Sequence, residues 1–386
     1  MAHVATITID HTKVPGDLTD YVGLIVPDGS AGYDALYALC LEGGGDIRLF
    51  KSDDTTEIAR EIVSFSVSAE TGEIHYKYSG TLSSSVDTDI HVYADGSSSE
   101  PAAGATYGSE AVWANHLFVS HDGGLTDSTG NNSQTNQGST NETSSVQIGD
   151  KARSFTSDYI ESDLNTRTEI GTGDFTVSSW FKIPQDSVRR TIIGMASSNS
   201  SFHDAFSLEV GRADQGYKTN IAARAGTSGQ GDVSGTNLRD DTYHQLHATR
   251  VGTTAKIYED GAFVDSKTDS EFGVNVGQYF QIGRVVTFNA LSGILDEVRV
   301  ITSELAANRI TAEYNNQNSY STFYSVAAVA GGSAADSERD ALIDGVATSQ
   351  SERDALIDGI ATSQSERDAL IDGIATSQSE RDALID

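Results

Sequence analysis

From Ser337 onward the chain repeats one unit: SERDALIDGVATSQ at Ser337, SERDALIDGIATSQ at Ser351 and Ser365, and a fourth copy that stops at Asp386. The period of fourteen residues is two heptads, so each copy returns the same side chains to the same face of a helix. One register puts Ile343 and Val346, Ile357 and Ile360, and Ile371 and Ile374 at core positions, with polar layers of Gln350 with Arg353 and Gln364 with Arg367. Ile at both core positions favours trimers, and polar layers fix register at some cost in stability. A second seam, Leu342 and Val346 with Ser349 and Arg353, competes with the first. A third reading breaks the rod, because Ser351-Glu352-Arg353-Asp354 suits a helix start and Gly359 a helix end. Glycine inside a continuous helix also costs about 1 kcal/mol per copy. Short isolated helices are unstable without partners, so a coiled-coil stalk is expected over 337–386, self-associating as a homo-oligomer with a trimer preferred. A chain that stops inside a repeat is expected to continue in a longer protein.

Charge narrows the partners. Against 25 Lys and Arg stand 56 Asp and Glu, a net charge of −31. Nucleic acid is not expected as a partner, because phosphate binding needs clustered cations. Cys40 is the one cysteine, so no disulfide can form within the chain. The start, MAHVATITIDHTKV, alternates like a strand and has neither the basic nor the apolar region of an ordinary signal peptide. The soft apolar stretch VAAVAGGSAA from Val326 is too short and too glycine-interrupted to span a bilayer. The expectation is a soluble chain without membrane insertion, reaching any external site by lysis, a non-classical exporter or a virus particle.

Before the repeat the text is β-like. Short runs such as VATITI, YVGLIV, DIRLF, EIHYKY and DIHVYAD lead to a β-sandwich-like module over 1–111. The stretch 122–145 is so poor in apolar residues that it reads as an exposed loop. Strand-like runs then resume, among them FTVSSWFKI, RTIIGMA, AFSLEVG, YHQLHATRV and GILDEVRV. Turn signals every 8 to 12 residues are those of a sandwich or jelly roll, here over 112–325. Asp260-Gly261 marks a tight hairpin. Leu305, Ile310 and Tyr314 predict a short helix begun by Ser303 and capping the sandwich. A linker at 326–336 would join it to the repeats. The fold class is all-β dominated, with a helical repeat appended.

Six landmarks carry a resemblance: Gly173-Asp174-Phe175-Thr176 with Trp180, Tyr243-His244, Tyr258-Glu259-Asp260-Gly261, Gly283-Arg284, Gly293-Ile294-Leu295-Asp296-Glu297-Val298-Arg299, and the helix from Leu305 to Tyr314. In this order they resemble the laminin-G-like, concanavalin A-like jelly roll, over about Val112 to Tyr324. The first module, through Gly45-Asp46-Ile47-Arg48-Leu49, Thr55-Thr56-Glu57, Thr71-Gly72-Glu73 and Asp87-Thr88-Asp89, is similar to a poorly characterised β module that precedes such jelly rolls in surface and viral proteins. It departs from that pattern at Tyr76-Lys77-Tyr78 and Ala94-Asp95-Gly96.

The resemblance raises the question of sugar chemistry. Glycosidases of this fold place carboxylates on alternate residues of one strand, about 5 Å apart. No Glu-x-Asp-x-Glu run is present, and Asp296 and Glu297 are adjacent, so a regular strand would turn them to opposite faces. His244 and His247, three apart in a strand, would also diverge and serve packing or turns. Gly-x-Ser-x-Gly and Gly-Lys-Ser/Thr loops are absent. Calcium is the cofactor the resemblance implies: the loop Leu125 to Asn132 and the start of the closing strand can converge near a metal, which makes Asp127, Asn131 and Asp296 the candidate ligands. Trp180 suits the sandwich core better than an exposed sugar platform. No catalytic residue is expected, and any ligand surface should lie in the loops or on the open sheet face.

Together these features predict a non-enzymatic structural and adhesion protein, a bacteriophage virion fibre or appendage displaying a lectin-like domain, with itself, other virion proteins and cell-surface glycans as partners. The alternative is a carbohydrate-binding module of a larger cell-surface adhesin or polysaccharide-active enzyme.

Overall fold

Apolar residues alternate along most of the strands, and their pairing across long sequence distances organises the chain. The computed structural model describes residues 1–138, 140–198, 200–226 and 229–329. The repeat at 337–386, and with it the coiled coil and trimer, lies outside the described residues. Ala5–Ala328 forms one compact unit.

Its first body is one seven-stranded path: Leu18–Ile25, Thr71–Leu82, Glu57–Ser66, Arg48–Lys51, Thr88–Ala94, Ala2–Ile9 and Tyr324–Ala328. The last strand comes from the far end, with Ala5 paired to Ala328 and Ile9 to Tyr324. The linker expected from 326 therefore begins inside a strand. Tyr324–Ala328 covers the edge that Ala2–Ile9 would otherwise leave unpaired.

The second body is a two-sheet sandwich. Its inner sheet runs Ala262–Thr268, Thr254–Glu259, Tyr243–Val251, Phe175–Lys182, Ser292–Ile301, Ala152–Thr156 and Asn141–Thr143, with His116–Ser120 also on Ser292–Ile301. The outer sheet runs Gly231–Ser234, Lys218–Arg224, Ala205–Arg212, Arg190–Ala196, Tyr279–Ile282, Tyr159–Ser162 and Gln134–Gln137. Between them lie Phe175, Val177, Phe181, Phe206, Leu208, Ile221, Phe280, Leu295 and Val298, all fully buried. Asp260 and Gly261 both have positive φ, as the tight hairpin between Glu259 and Ala262 requires.

Two expectations change here. The polar stretch 122–145 is not simply a loop: Gln134–Gln137 pairs with Tyr159–Ser162 at the edge of the outer sheet, and Asn141–Thr143 with Ala152–Thr156 at the edge of the inner. An edge strand is held by backbone hydrogen bonds and needs no apolar side chain, so composition conceals it. Trp180 is buried as expected, but not in the sandwich core. It points out of the inner sheet to pack with Leu24 and Ile148 and stack on Tyr314 at 5.6 Å. Its indole N–H donates to Gln317 Oε1 at 2.7 Å.

That layer joins the bodies. The predicted helix is Ala307–Asn318, starting after Leu305 and not at Ser303, whose carbonyl instead accepts the Thr176 hydroxyl. It lies against strand Leu18–Ile25, where Asn316 accepts from the Leu24 N–H (2.7 Å) and donates to the Leu24 carbonyl (2.9 Å). A side-chain amide thus stands where a neighbouring strand would stand.

Candidate functional site

Alternation along the outer sheet sends Phe206, Leu208 and Val210 into the core and Ser207 and Glu209 to the open face. That face is partly roofed by residues 284–289. Gly194 lets this segment lie close, since a Cβ there would meet Arg284 and Val285. Gln281 Oε1 accepts from the Val286 N–H at 2.7 Å, and the Thr191 N–H donates to the Asn289 carbonyl at 2.7 Å. Val286 is held at φ +60°, a conformation β-branched residues avoid, and Asn289 at +56°. Such strain tends to persist where the surroundings fix a loop for a purpose.

Beside this roof is a pocket of about 210 Å³ lined by Arg189, Phe202, Glu209, Arg224, Gln230, Val285, Phe288 and Asn289. Phe288 is half exposed at 50%. Glu209 is fully buried, accepts from Ser207 Oγ at 2.8 Å, and takes Arg189 Nε and Nη2 at 2.7 and 2.5 Å. Burial pushes the Glu209 carboxyl above the usual range, and the Arg189 charge opposes that shift. Aromatic surface beside guanidinium and amide donors can stack on and hydrogen-bond a small polar ligand. The alternate positions of Ala205–Arg212 on this face are Ser207 and Glu209, and Glu209 is the one carboxylate among the residues lining the pocket.

The sequence missed this pocket. Phe288, an apolar residue in the turn-like stretch Thr287 to Ala290, was the available signal; Arg189 and Arg224 lie 35 residues apart and gave none.

Each candidate calcium ligand has hydrogen-bond partners of its own within the protein. Asp127 Oδ1 accepts from the N–H groups of Val119 and Thr129, and Oδ2 from Thr129 Oγ1, Asn132 N and Asn132 Nδ2, at 2.7 to 3.1 Å. Those bonds tie its loop to strand His116–Ser120. Asn131 is exposed, its N–H directed at Thr129 Oγ1 at 3.4 Å. Asp296 is buried, and its Oδ2 accepts from the N–H groups of Gln147 and Ile148 at 3.0 and 3.1 Å. Burial, with the neighbouring Glu297 charge, holds the Asp296 carboxyl well above the usual range. Among the described residues, no close group of His, Cys, Asp and Glu suited to an ion includes Asp127 or Asp296.

Nor do Asp296 and Glu297 diverge as a regular strand predicts. The register between Phe175–Lys182 and Ser292–Ile301 shifts between Ser178 and Trp180, and Glu297 adopts φ +53°. This bulge sits where the other neighbour of Ser292–Ile301 changes from Ala152–Thr156 to His116–Ser120. It turns Glu297 toward the first body, where it meets His75 and His121, on the side where Asp296 meets Ile148. Both carboxyls are buried between the bodies, out of reach of a polymer. His244 pairs with Asp260 (2.8 Å) and Asp240 (3.2 Å), while His247 lies 3.8 Å from Glu313.

The two-sheet sandwich is a jelly-roll fold, with the pocket on the open face of its outer sheet. Residues 154–311 match the sequence model of the concanavalin A-like lectin/glucanases superfamily. Similar solved structures include the botulinum neurotoxin serotype G binding domain (14% identity, TM-score 0.43, covering 53% of this chain and 52% of that one). The binding domain of botulinum neurotoxin DC in complex with rat synaptotagmin II gives the same four values. The chain thus spans about half the length of these structures. No curated protein matches it. No helix among the described residues is long and apolar enough to cross a membrane.

Proposed function

We propose that this chain is a non-enzymatic attachment protein whose concanavalin A-like domain holds a glycan in the outer-sheet pocket, and that it works as a bacteriophage virion fibre or appendage extended and trimerised through its repeats. The observation that carries the binding reading is half-exposed Phe288 beside Arg189, Arg224, Gln230 and Asn289. Glu209, the one carboxylate among the residues lining that pocket, is locked to Arg189, which supports binding without cleavage. The virion and trimer readings rest on the fourteen-residue repeat. Incubating the full chain with insoluble polysaccharides tests this: co-sedimentation without release of reducing ends is expected. Release of reducing ends would overturn the non-enzymatic reading, and no retention on any polymer would count against glycan attachment.

A further inference from the structure

Strand Thr71–Leu82 places Glu73 and His75 on one face, two residues apart, facing the inner sheet of the sandwich. Opposite them stand His121, which follows strand His116–Ser120, and Glu297, turned inward by its bulge. All four are buried, at 2%, 1%, 6% and 2% exposure for Glu73, His75, His121 and Glu297. Each offers one donor atom, and the four atoms lie within 4.8 Å of one another. The shorter separations are 2.5 Å (His121 Nδ1 to Glu297 Oε1), 2.9 Å (His75 Nε2 to Glu73 Oε1), 3.5 Å (His121 Nδ1 to Glu73 Oε1) and 3.8 Å (His75 Nε2 to Glu297 Oε1). A tetrahedral zinc ion with bonds of about 2.0–2.2 Å needs donors about 3.4 Å apart, and these distances bracket that value.

The surroundings match what a metal centre requires. The other ring nitrogen of His121, Nε2, lies 3.3 Å from Glu61 Oε2, the carboxylate that orients a ligating imidazole. Glu61 is fixed in turn by the Trp113 indole N–H. The second oxygen of Glu297 accepts from Arg299 Nη2 at 2.6 Å and Nε at 3.2 Å. Gly149 comes so close that any side chain there would strike the Glu73 carboxylate. Access is provided by a cleft of about 340 Å³ lined by Glu61, Glu73 and His121 together with the acidic Asp122, Glu142 and Asp150, a field that draws cations inward.

We infer that Glu73, His75, His121 and Glu297 form a four-coordinate site for a divalent transition-metal ion of the zinc type, joining the first β body to the concanavalin A-like domain. Two imidazoles with two carboxylates favour such an ion over calcium, which takes six to eight oxygens. Four protein donors close a tetrahedral shell, so the role is structural. In a chain with the single cysteine Cys40, the ion does the cross-linking that a disulfide would otherwise do.

The test uses the full chain, stripped with chelator and titrated with Zn2+ and separately with Co2+. One ion per chain, a raised melting temperature and the intense visible absorption of tetrahedral Co2+ are expected. Glu73→Gln and His75→Gln should abolish stoichiometric binding, with folding checked by circular dichroism. Glu61→Gln should weaken binding by about 10- to 100-fold. If the wild-type chain takes up neither ion, or binds without a tetrahedral Co2+ spectrum, the four residues are a hydrogen-bonded polar network and the inference fails, whether or not the variants fold. Unchanged binding in both ligand variants would overturn it equally. The outcome is independent of glycan attachment, since the pocket and this cluster share no residue.

Discussion

Asp127, Asp296 and Glu209 carry carboxyl groups into three different surroundings. Asp127 is an anchor for its own loop, so Asp127→Ala should cost about 2 kcal/mol or more through the unsatisfied amides it leaves, and millimolar Ca2+ should not move the wild-type melting temperature. A Ca2+-induced rise that disappears in Asp127→Ala would restore calcium to this loop. His244 gives a pH signature. Its pairing with Asp260, helped by Asp240, raises its pKa above the unfolded value of about 6.5. The stabilisation is therefore fully present below that value and is lost as pH rises through the folded pKa. Denaturant midpoints of wild type and His244→Gln should differ most at mildly acidic pH and converge on the alkaline side; a constant gap would sink this assignment. Residue roles of this kind were partly legible. The hairpin at Asp260-Gly261 follows from local backbone chemistry, whereas the side to which Trp180 points depends on a second body that the strand's own alternation does not reveal.

The helix Ala307–Asn318 was predicted from Leu305, Ile310 and Tyr314, but as a cap on one sandwich. Its polar residues show otherwise: Asn316 grips Leu24, Gln317 accepts from Trp180 and from Gln245, and Asn315 donates to the Lys13 carbonyl. Apolar spacing finds a helix, but polar residues such as these name their partners only in three dimensions. Asn316→Ala should cost about 2–4 kcal/mol, because the Leu24 N–H and carbonyl are left buried without partners. Trp180→Ala should cost about 3–5 kcal/mol, and Trp180→Phe should recover most of the packing but not the Gln317 bond. Urea midpoints measure all three, and values within about 0.5 kcal/mol of wild type would show that the helix is not the clamp described. The strand Tyr324–Ala328 was hidden for a similar reason: its partner, Ala2–Ile9, is more than three hundred residues away.

At the scale of the whole molecule, the compact unit Ala5–Ala328 joins two β bodies through a buried layer containing Leu24, Trp180 and Ile148. It should unfold in one cooperative transition, and a calorimetric scan resolving two would contradict that. The jelly roll was readable because its landmarks are local turns and strand ends. The cluster of Glu73, His75, His121 and Glu297 was not, since His121 and Glu297 alone are 176 residues apart. The repeats add the expectation of a trimer. Light scattering of the full chain beside one ending at 329 should show loss of the oligomer on truncation, and identical masses would remove the repeats as its cause. The most direct test of the account is a glycan array probed with the intact chain and with Phe288→Ala. Selective binding by the wild type, weakened at least about tenfold by the substitution (1.4 kcal/mol) with an unchanged melting temperature, is the predicted result. Equal binding by the two proteins, or none by either, would contradict a glycan site in the outer-sheet pocket.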